Sequence, residues 1–150
     1  MTLDARLYWK EHIKIERKQL DMVRAKMEWL IGRNSKLSLH NKLLLYKQIL
    51  KPVWSYGIQL WGCSKTSNVN NIQIFQNKVL RAAVNAPWYI RNSDLHRDLG
   101  METVSEARTK AAERHQQRLL QHKNDQASRL ASCQLVRRLK RAKPRDLLPT

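Results

Sequence analysis

One apolar run, residues Ser38–Gly62, constrains the fold of this chain more than any other feature. A helix that spans a bilayer needs about 20 predominantly apolar residues, but Lys42, Lys47, Lys51 and Pro52 interrupt this run. Proline removes a backbone N–H and clashes with the preceding turn, which predicts a kink or a new helix start at that residue. The run is therefore predicted to form a buried helical hairpin at the centre of a helical domain.

A first helix is predicted before this run. From Tyr8 onward, apolar residues recur at steps of three, four and seven, which is the spacing of one helix face, and Gly32 is suited to end the helix. This stripe consists of Trp9, Ile13, Leu20, Val23, Met27 and Leu30. The other faces are predicted to carry the cations Lys10, Lys14, Arg17, Lys18, Arg24 and Lys26. Each of these cations either binds an anionic partner or is simply solvated.

Capping residues predict the later helices. The hydroxyl of Ser38 can accept a hydrogen bond from a free N–H of the helix that follows it. Ser67 or Asn68 is expected to cap a third helix. Thr103 and Glu106 have the spacing of a capping box and predict a helix as far as about residue 121. A last helix is expected over 125–142, and it closes in the basic run Arg137–Arg145, which is either solvated or bound to phosphate.

The segment Ala86–Ile90 interrupts the helices, because Pro87 biases the residue before it away from helical conformation. Its two aromatic residues, Trp88 and Tyr89, precede Arg91 and could stack on nucleotide bases. Buried aromatic rings that anchor a loop are more common, so burial is the favoured expectation for this pair.

Net charge is the strongest compositional signal. The 150 residues contain 29 Lys and Arg but 12 Asp and Glu, which gives a formal charge of +17, and the excess is spread along the whole chain. A polyanionic partner is the natural inference, since each neutralised phosphate releases condensed counterions. The alternative is a basic protein whose charge serves only solubility.

Catalytic patterns are missing from the sequence. No two acidic residues are adjacent, the five histidines lack metal-binding spacing, and glycine-rich phosphate loops are absent. Cys63 and Cys133 are isolated, which favours neither a disulfide framework nor a zinc site. Without a visible signal peptide, a nuclear or cytoplasmic location is expected rather than secretion. We expect no catalysis by this chain alone and no cofactor within it.

Four segments carry a family resemblance. In chain order they are Leu3–Ile13, residues 36–62 (KLSLHNKLLLYKQILKPVWSYGIQLWG), Asn85–Gly100 and Arg138–Pro144, and they resemble the C-terminal part of the reverse transcriptase of jockey-type non-LTR (LINE-like) retrotransposons. The resemblance implies that the chain corresponds to the polymerase thumb and the region after it. It also implies a fragment that begins after the palm, the domain whose paired aspartates bind Mg²⁺ in the intact polymerase.

Together, periodicity and resemblance predict an all-α, basic multi-helix bundle. Residues 1–91 would form a thumb-like domain and residues 92–150 a basic C-terminal helical region. The resemblance implies an RNA/DNA template–primer duplex as partner, no membrane, and association with the missing palm or another protein. Phosphate contacts are predicted for Lys10, Lys14, Arg17, Lys18, Arg24 and Lys26 and for Arg137, Arg138, Lys140 and Arg141.

Two alternatives to a nucleic-acid-binding fragment remain from the sequence. The first is a helical protein-interaction module with a partly exposed apolar surface made of Trp9, Trp29, Trp54 and Trp61. The second is a translated relic without function.

Overall fold

The computed structural model describes residues 8–132 and 144–147, and within these ranges every regular element is helical. The predicted all-α class is therefore confirmed for the described part of the chain. The elements are α1 (Lys10–Lys26), α2 (Glu28–Ile31), α3 (Leu39–Leu45), a π-helical turn (Tyr46–Leu50), α4 (Lys51–Ser55), α5 (Ile58–Trp61), α6 (Thr66–Val84), α7 (Asn92–Asp98), α8 (Val104–Leu120), α9 (Asp125–Ser132) and a 3₁₀-helix (Pro144–Leu147). None of these helices is both long and apolar enough to cross a membrane.

The predicted apolar stripe of the first helix is confirmed. Its residues are buried or partly buried against the core, although the chain turns at Met27 and divides the predicted helix into α1 and α2. Gly32 follows the end of α2, as predicted. A Cβ at this glycine would lie 2.3 Å from the backbone oxygen of Glu28, so the close approach of the backbone requires glycine here.

The apolar run forms the predicted hairpin only in part: its first arm is continuous from Leu39 to Ser55, and after Gly57 its second arm is the single turn α5, which packs against α8. Ser38 caps α3, its Oγ accepting from the backbone N–H of Asn41 at 3.4 Å. The break expected at Pro52 takes the form of the π-helical turn, in which the N–H of Lys51 donates to the carbonyl of Tyr46, five residues earlier. Because Pro52 has no N–H for an ordinary helical bond, a wider turn before it costs little backbone hydrogen bonding.

One face of the hairpin is buried in the core, whereas the large side chains of its other faces are exposed, namely Leu39, Leu44, Ile49, Tyr56 and Leu60. Trp54 and Trp61 are 1% and 2% exposed, and both indole N–H groups have acceptors. Trp54 Nε1 donates to the hydroxyl of Tyr46 at 3.2 Å, and Trp61 Nε1 donates to the carbonyl of Tyr56 at 3.0 Å. Large rings with satisfied polar atoms are strongly stabilising when buried. The hairpin contacts α1, α6 and α8, and thereby holds them in one core.

The expected tryptophan surface is wrong for three of its four members. Trp9, Trp54 and Trp61 are at most 8% exposed, and only Trp29 is at the surface. The physical reason is that Trp9 continues the apolar stripe of α1, while the hairpin encloses the other two rings. The four rings therefore do not form an apolar docking patch.

The third predicted helix, α6, is the longest in the described chain and packs against α1, α2, α3, α7 and α8. Its predicted caps are wrong, because the helix begins earlier, at Thr66, and the backbone carbonyl of Lys65 accepts from the N–H groups of Asn68 and Val69. The helix ends at Val84, and Asn85 follows with φ of 52°, a left-handed conformation that asparagine tolerates.

The favoured expectation of burial for the aromatic pair after α6 is also wrong. Trp88 is 90% exposed and Tyr89 is 69% exposed. The flanking residues Ala86 and Ile90 pack against the core in their place. The loop is therefore anchored by its small and aliphatic residues, and both aromatic rings project from it.

The capping box at the start of α8 is confirmed. Glu106 N–H donates to Thr103 Oγ1 at 3.2 Å, and Thr103 N–H donates to the Glu106 carboxylate at 2.9 Å. Helix α8 packs against α5 and α6, so residues on both sides of position 91 share contacts. The division into 1–91 and 92–150 stays a prediction, and the part of the last predicted helix beyond Ser132 lies outside the described residues.

Candidate nucleic-acid interface

Four of the six cations predicted on the first helix are exposed: Lys10, Lys14, Lys18 and Lys26. The first three form the α1 lysine row, in which each residue follows the last by four positions, or about 6 Å along the helix axis. Lys14 lies 3.8 Å from Glu11, but both side chains are more than half exposed, so this ion pair is weak. The row is an uninterrupted line of positive charge on the solvent side of α1.

Arg17 and Arg24 lie at the margin of the buried face instead of on the outer faces. Arg17 is four residues after Ile13 and three before Leu20, which places it in the gap of the apolar stripe. Its guanidinium lies 4.8 Å from the centre of the Phe75 ring and is paired with Asp21. Arg24 has the same position one heptad later and pairs with Glu28 at 3.3 Å. Both guanidinium groups thus already have carboxylate partners.

A second row of cations, on α8, was not singled out from the sequence. Lys110, Arg114 and Arg118 are exposed and also follow one another at four-residue steps; together they are the α8 cation row. Arg114 Nε donates to the carbonyl of Lys110 at 3.2 Å, and Arg118 Nε donates to that of Arg114 at 3.3 Å. These bonds align both guanidinium groups along the helix. The four-residue spacing was the available signal for this row.

Arg114 and Arg118 of the α8 cation row line a cleft of about 320 Å³. Lys51 of α4 also lines this cleft, and Ile58, Ala107 and Ala111 are among the apolar residues of the lining. Three cations therefore face one open cleft, with Lys51 contributed by the hairpin and the two arginines by α8. A cleft of this kind suits a phosphate group, because guanidinium and ammonium donors both bind phosphate oxygens.

Glu102 is the acidic residue that lines this cleft. Its carboxylate accepts from Lys51 Nζ and, at 3.1 Å, from Lys110 Nζ. Burial raises the pKa of Glu102, but the hydrogen bonds and positive charges of the two lysines outweigh burial and leave the pKa below its usual value. Glu102 is therefore ionised at neutral pH and holds Lys51 at the edge of the cleft.

A second cleft, of about 300 Å³, lies between α6, α7 and the start of α8 and is lined mainly by polar residues. His96 is 6% exposed, and its Nδ1 lies 2.8 Å from the carbonyl of Met101, an acceptor, so Nδ1 carries a proton. The amide of Gln73 accepts from the N–H of Val104 at 2.8 Å, and the amide of Gln76 donates to the carbonyl of Glu102 at 2.7 Å. This network satisfies the backbone where α8 begins, which is a structural role.

Four of the predicted phosphate-binding cations belong to the C-terminal basic run. Arg137, Arg138, Lys140 and Arg141 lie outside the described residues. In the residues that the structure does describe, no three His, Cys, Asp or Glu side chains are grouped so that they could hold a metal ion. What the described side chains offer is positive charge and hydrogen-bond donors.

The chain matches proteins of Drosophila melanogaster transposons over nearly its whole length. It is 45% identical over 148 residues to a "Probable RNA-directed DNA polymerase from transposon X-element", which covers 99% of this chain and 16% of that protein. It is 38% identical over 141 residues to the corresponding polymerase from transposon BS, with 94% of this chain and 16% of that protein covered. No family model and no solved structure matches the chain.

A third relative comes from jockey itself, the element after which the resembled family is named. The RNA-directed DNA polymerase from the mobile element jockey of Drosophila melanogaster is 37% identical over 156 aligned positions, covering 98% of this chain and 17% of that protein. The chain thus spans about one-sixth of the length of the curated relatives it matches. The resemblance of the sequence motifs is confirmed: nearly the whole chain is homologous to about one-sixth of the RNA-directed DNA polymerases of Drosophila non-LTR transposons, jockey among them.

Proposed function

We propose that this chain is the nucleic-acid-gripping part of a reverse transcriptase, equivalent to the thumb and the region after it. The observation that carries the proposal is the pair of cation rows, on α1 and on α8, both helices being packed on α6. In this proposal the rows bind the phosphates of an RNA/DNA template–primer duplex. Such contacts position a duplex without reading its sequence.

In this proposal the polymerase reaction takes place in the parts of the related polymerases that this chain does not match. The side chains of the two rows cannot bind divalent metal ions, since lysine and arginine offer no acceptor atoms. The catalytic aspartates and their Mg²⁺ ions would belong to a palm domain with which this chain associates. The chain would then contribute affinity and register to the duplex but no chemical step.

The test is the salt dependence of binding to an RNA–DNA hybrid duplex, measured by fluorescence anisotropy with the full chain. Each phosphate contact contributes about −0.9 to the slope of log K against log salt, so six contacts predict a slope of about −5. Replacing the α1 lysine row (Lys10, Lys14 and Lys18) by Gln should reduce the magnitude of this slope by about 3 × 0.9, or roughly 2.7.

A matched control separates phosphate contacts from general charge. Arg33, Lys47 and Lys65 are exposed and belong to neither cation row, so their replacement by Gln removes the same charge. The control triple variant should keep most of the slope. A flat salt dependence refutes the proposal, and equal losses in the two triple variants would mean that only the net charge attracts the duplex.

A further inference from the structure

The loop that follows α6 presents two aromatic rings to solvent. Trp88 is 90% exposed, whereas three of the other tryptophans are at most 8% exposed. The rings of Trp88 and Tyr89 pack edge to face, with centroids 6.0 Å apart and planes at 81°. Each ring thus restricts the other, and the pair forms a small apolar surface that nothing in the described chain covers.

The loop beneath these rings is held in place by one residue of α6. Arg81 Nη1 donates to the carbonyl of Pro87 at 2.9 Å, Nη2 donates to the carbonyl of Ile90, and Nε donates to Asn92 Oδ1 at 3.0 Å. The N–H of Ile90 also donates to the carbonyl of Pro87 at 3.3 Å and closes a turn across the two aromatic residues. A platform that is already ordered loses little conformational entropy when a ligand binds.

The charge around the loop indicates the kind of ligand. Residues 29–93 contain nine lysines and arginines and no aspartate or glutamate, although the chain as a whole has 12 acidic residues. Arg91 follows the loop directly, and Lys78 is exposed on α6, one turn before Arg81. A ligand that is both anionic and able to cover aromatic rings fits this surface better than a neutral apolar one.

We propose that Trp88 and Tyr89 form a stacking platform for an unpaired base of single-stranded nucleic acid. Arg91 and Lys78 then contact the phosphates on either side of that base. Stacking on aromatic side chains accepts any base, since every base has a π face. In a duplex the faces of internal bases are already covered, so the platform selects a single strand or an overhang beyond a duplex. This proposal rests on the proposed function and adds to it that the single strand extending beyond the bound duplex lies on the Trp88–Tyr89 platform.

The experiment compares three ligands with the full chain by fluorescence anisotropy: a short oligothymidylate, an oligomer of equal length and charge without bases, and a blunt RNA–DNA duplex. Trp88→Ala should weaken binding of the oligothymidylate about 5- to 150-fold, the effect of about 1–3 kcal/mol of stacking on one base. Binding of the abasic oligomer and of the duplex should change less than about twofold. Trp88→Phe should restore most of the affinity, because it keeps an aromatic face.

Trp29→Ala is the matched control, since Trp29 is 74% exposed but lies on α2. This variant should bind all three ligands like the parent chain. An unchanged affinity of Trp88→Ala for the oligothymidylate overturns the inference and leaves the rings as a contact for protein. Equal weakening for the intact and abasic oligomers also overturns it, because no base is then involved. If the duplex still binds with a steep salt dependence, the proposed function survives either result; if no nucleic acid binds, both fail.

Discussion

Replacing Glu102 by Gln should destabilise the fold and strengthen the binding of nucleic acid. The carboxylate of Glu102 connects α4 to α8 through Lys51 and Lys110. Glu102 and Lys51 have side chains that are 23% and 31% exposed, so water screens this contact only in part. The Gln variant keeps the shape of the side chain but removes its charge.

The size of the effect follows from the two contacts. A hydrogen bond between charged groups that are partly buried contributes about 1.5 kcal/mol at the low end of its range. The contact with Lys110 contributes less, roughly 0.5 kcal/mol, because that lysine is 60% exposed. Glu102→Gln should therefore lower the free energy of unfolding by about 2 kcal/mol at neutral pH, measured by urea denaturation followed by circular dichroism.

The contribution of Glu102 to the free energy of unfolding should depend on pH. The pKa of Glu102 in the folded chain lies below its ordinary value of 4.5. A carboxyl group of this kind stabilises the fold fully above its unfolded pKa, and the contribution is lost as the pH falls through the folded pKa. The difference in unfolding free energy between the parent chain and Glu102→Gln should thus be constant from pH 7 to about 5.5 and should shrink at lower pH.

Binding of the hybrid duplex provides the second measurement. Removing one negative charge from a cleft lined by Lys51, Arg114 and Arg118 should raise the affinity about two- to fivefold at low salt, and less at high salt. Glu11→Gln is the control for the stability measurement, because Glu11 forms only an exposed ion pair and its replacement should change stability by less than about 0.5 kcal/mol. A stability difference for Glu102→Gln that stays constant down to pH 3 would refute the argument.

Two further predictions concern the core. Trp54→Ala should lower the free energy of unfolding by about 3–5 kcal/mol in urea denaturation, because it leaves a cavity in the core. Trp29→Ala, at an exposed position, should lower it by less than about 0.5 kcal/mol. Similar losses at both positions would contradict the burial of Trp54. Burial raises the pKa of the Cys63 thiol to about 11. In a Cys133→Ser background, Cys63 should therefore react slowly with a thiol reagent at pH 8 and much faster in urea. Rapid reaction in the folded chain would be incompatible with that burial.

The candidate interface was partly readable from the sequence. The α1 lysine row follows from helical spacing, because Lys10, Lys14 and Lys18 follow one another at four-residue steps and lie outside the apolar stripe. Charge alone predicts a solvent-exposed position for Arg17, whereas its place between Ile13 and Leu20 puts it beside the buried face. There the aliphatic part of its side chain is packed and its guanidinium lies over Phe75.

The cleft beside α8 depends on the tertiary structure. Lys51 and Glu102 are 51 residues apart in the chain, and no local pattern indicates that they meet. Their contact arises because α5 and α8 pack together, which brings the end of the π-helical turn next to the start of α8. The exposure of Trp88 has a similar origin, since Arg81 and the burial of Ile90 decide which side of the loop faces the core.

By itself, the sequence determined the helical class, the helical character of the central apolar run, the caps at Ser38 and Thr103, and the family resemblance. These features depend on residues close together in the chain or on runs long enough to be specific, so periodicity, hydrogen-bonding capacity and motif identity reveal them. Only the tertiary structure decided which charged and aromatic side chains reach solvent. That outcome depends on which surfaces α6, α8 and the hairpin cover when they pack, and contacts between distant segments leave no trace in local spacing.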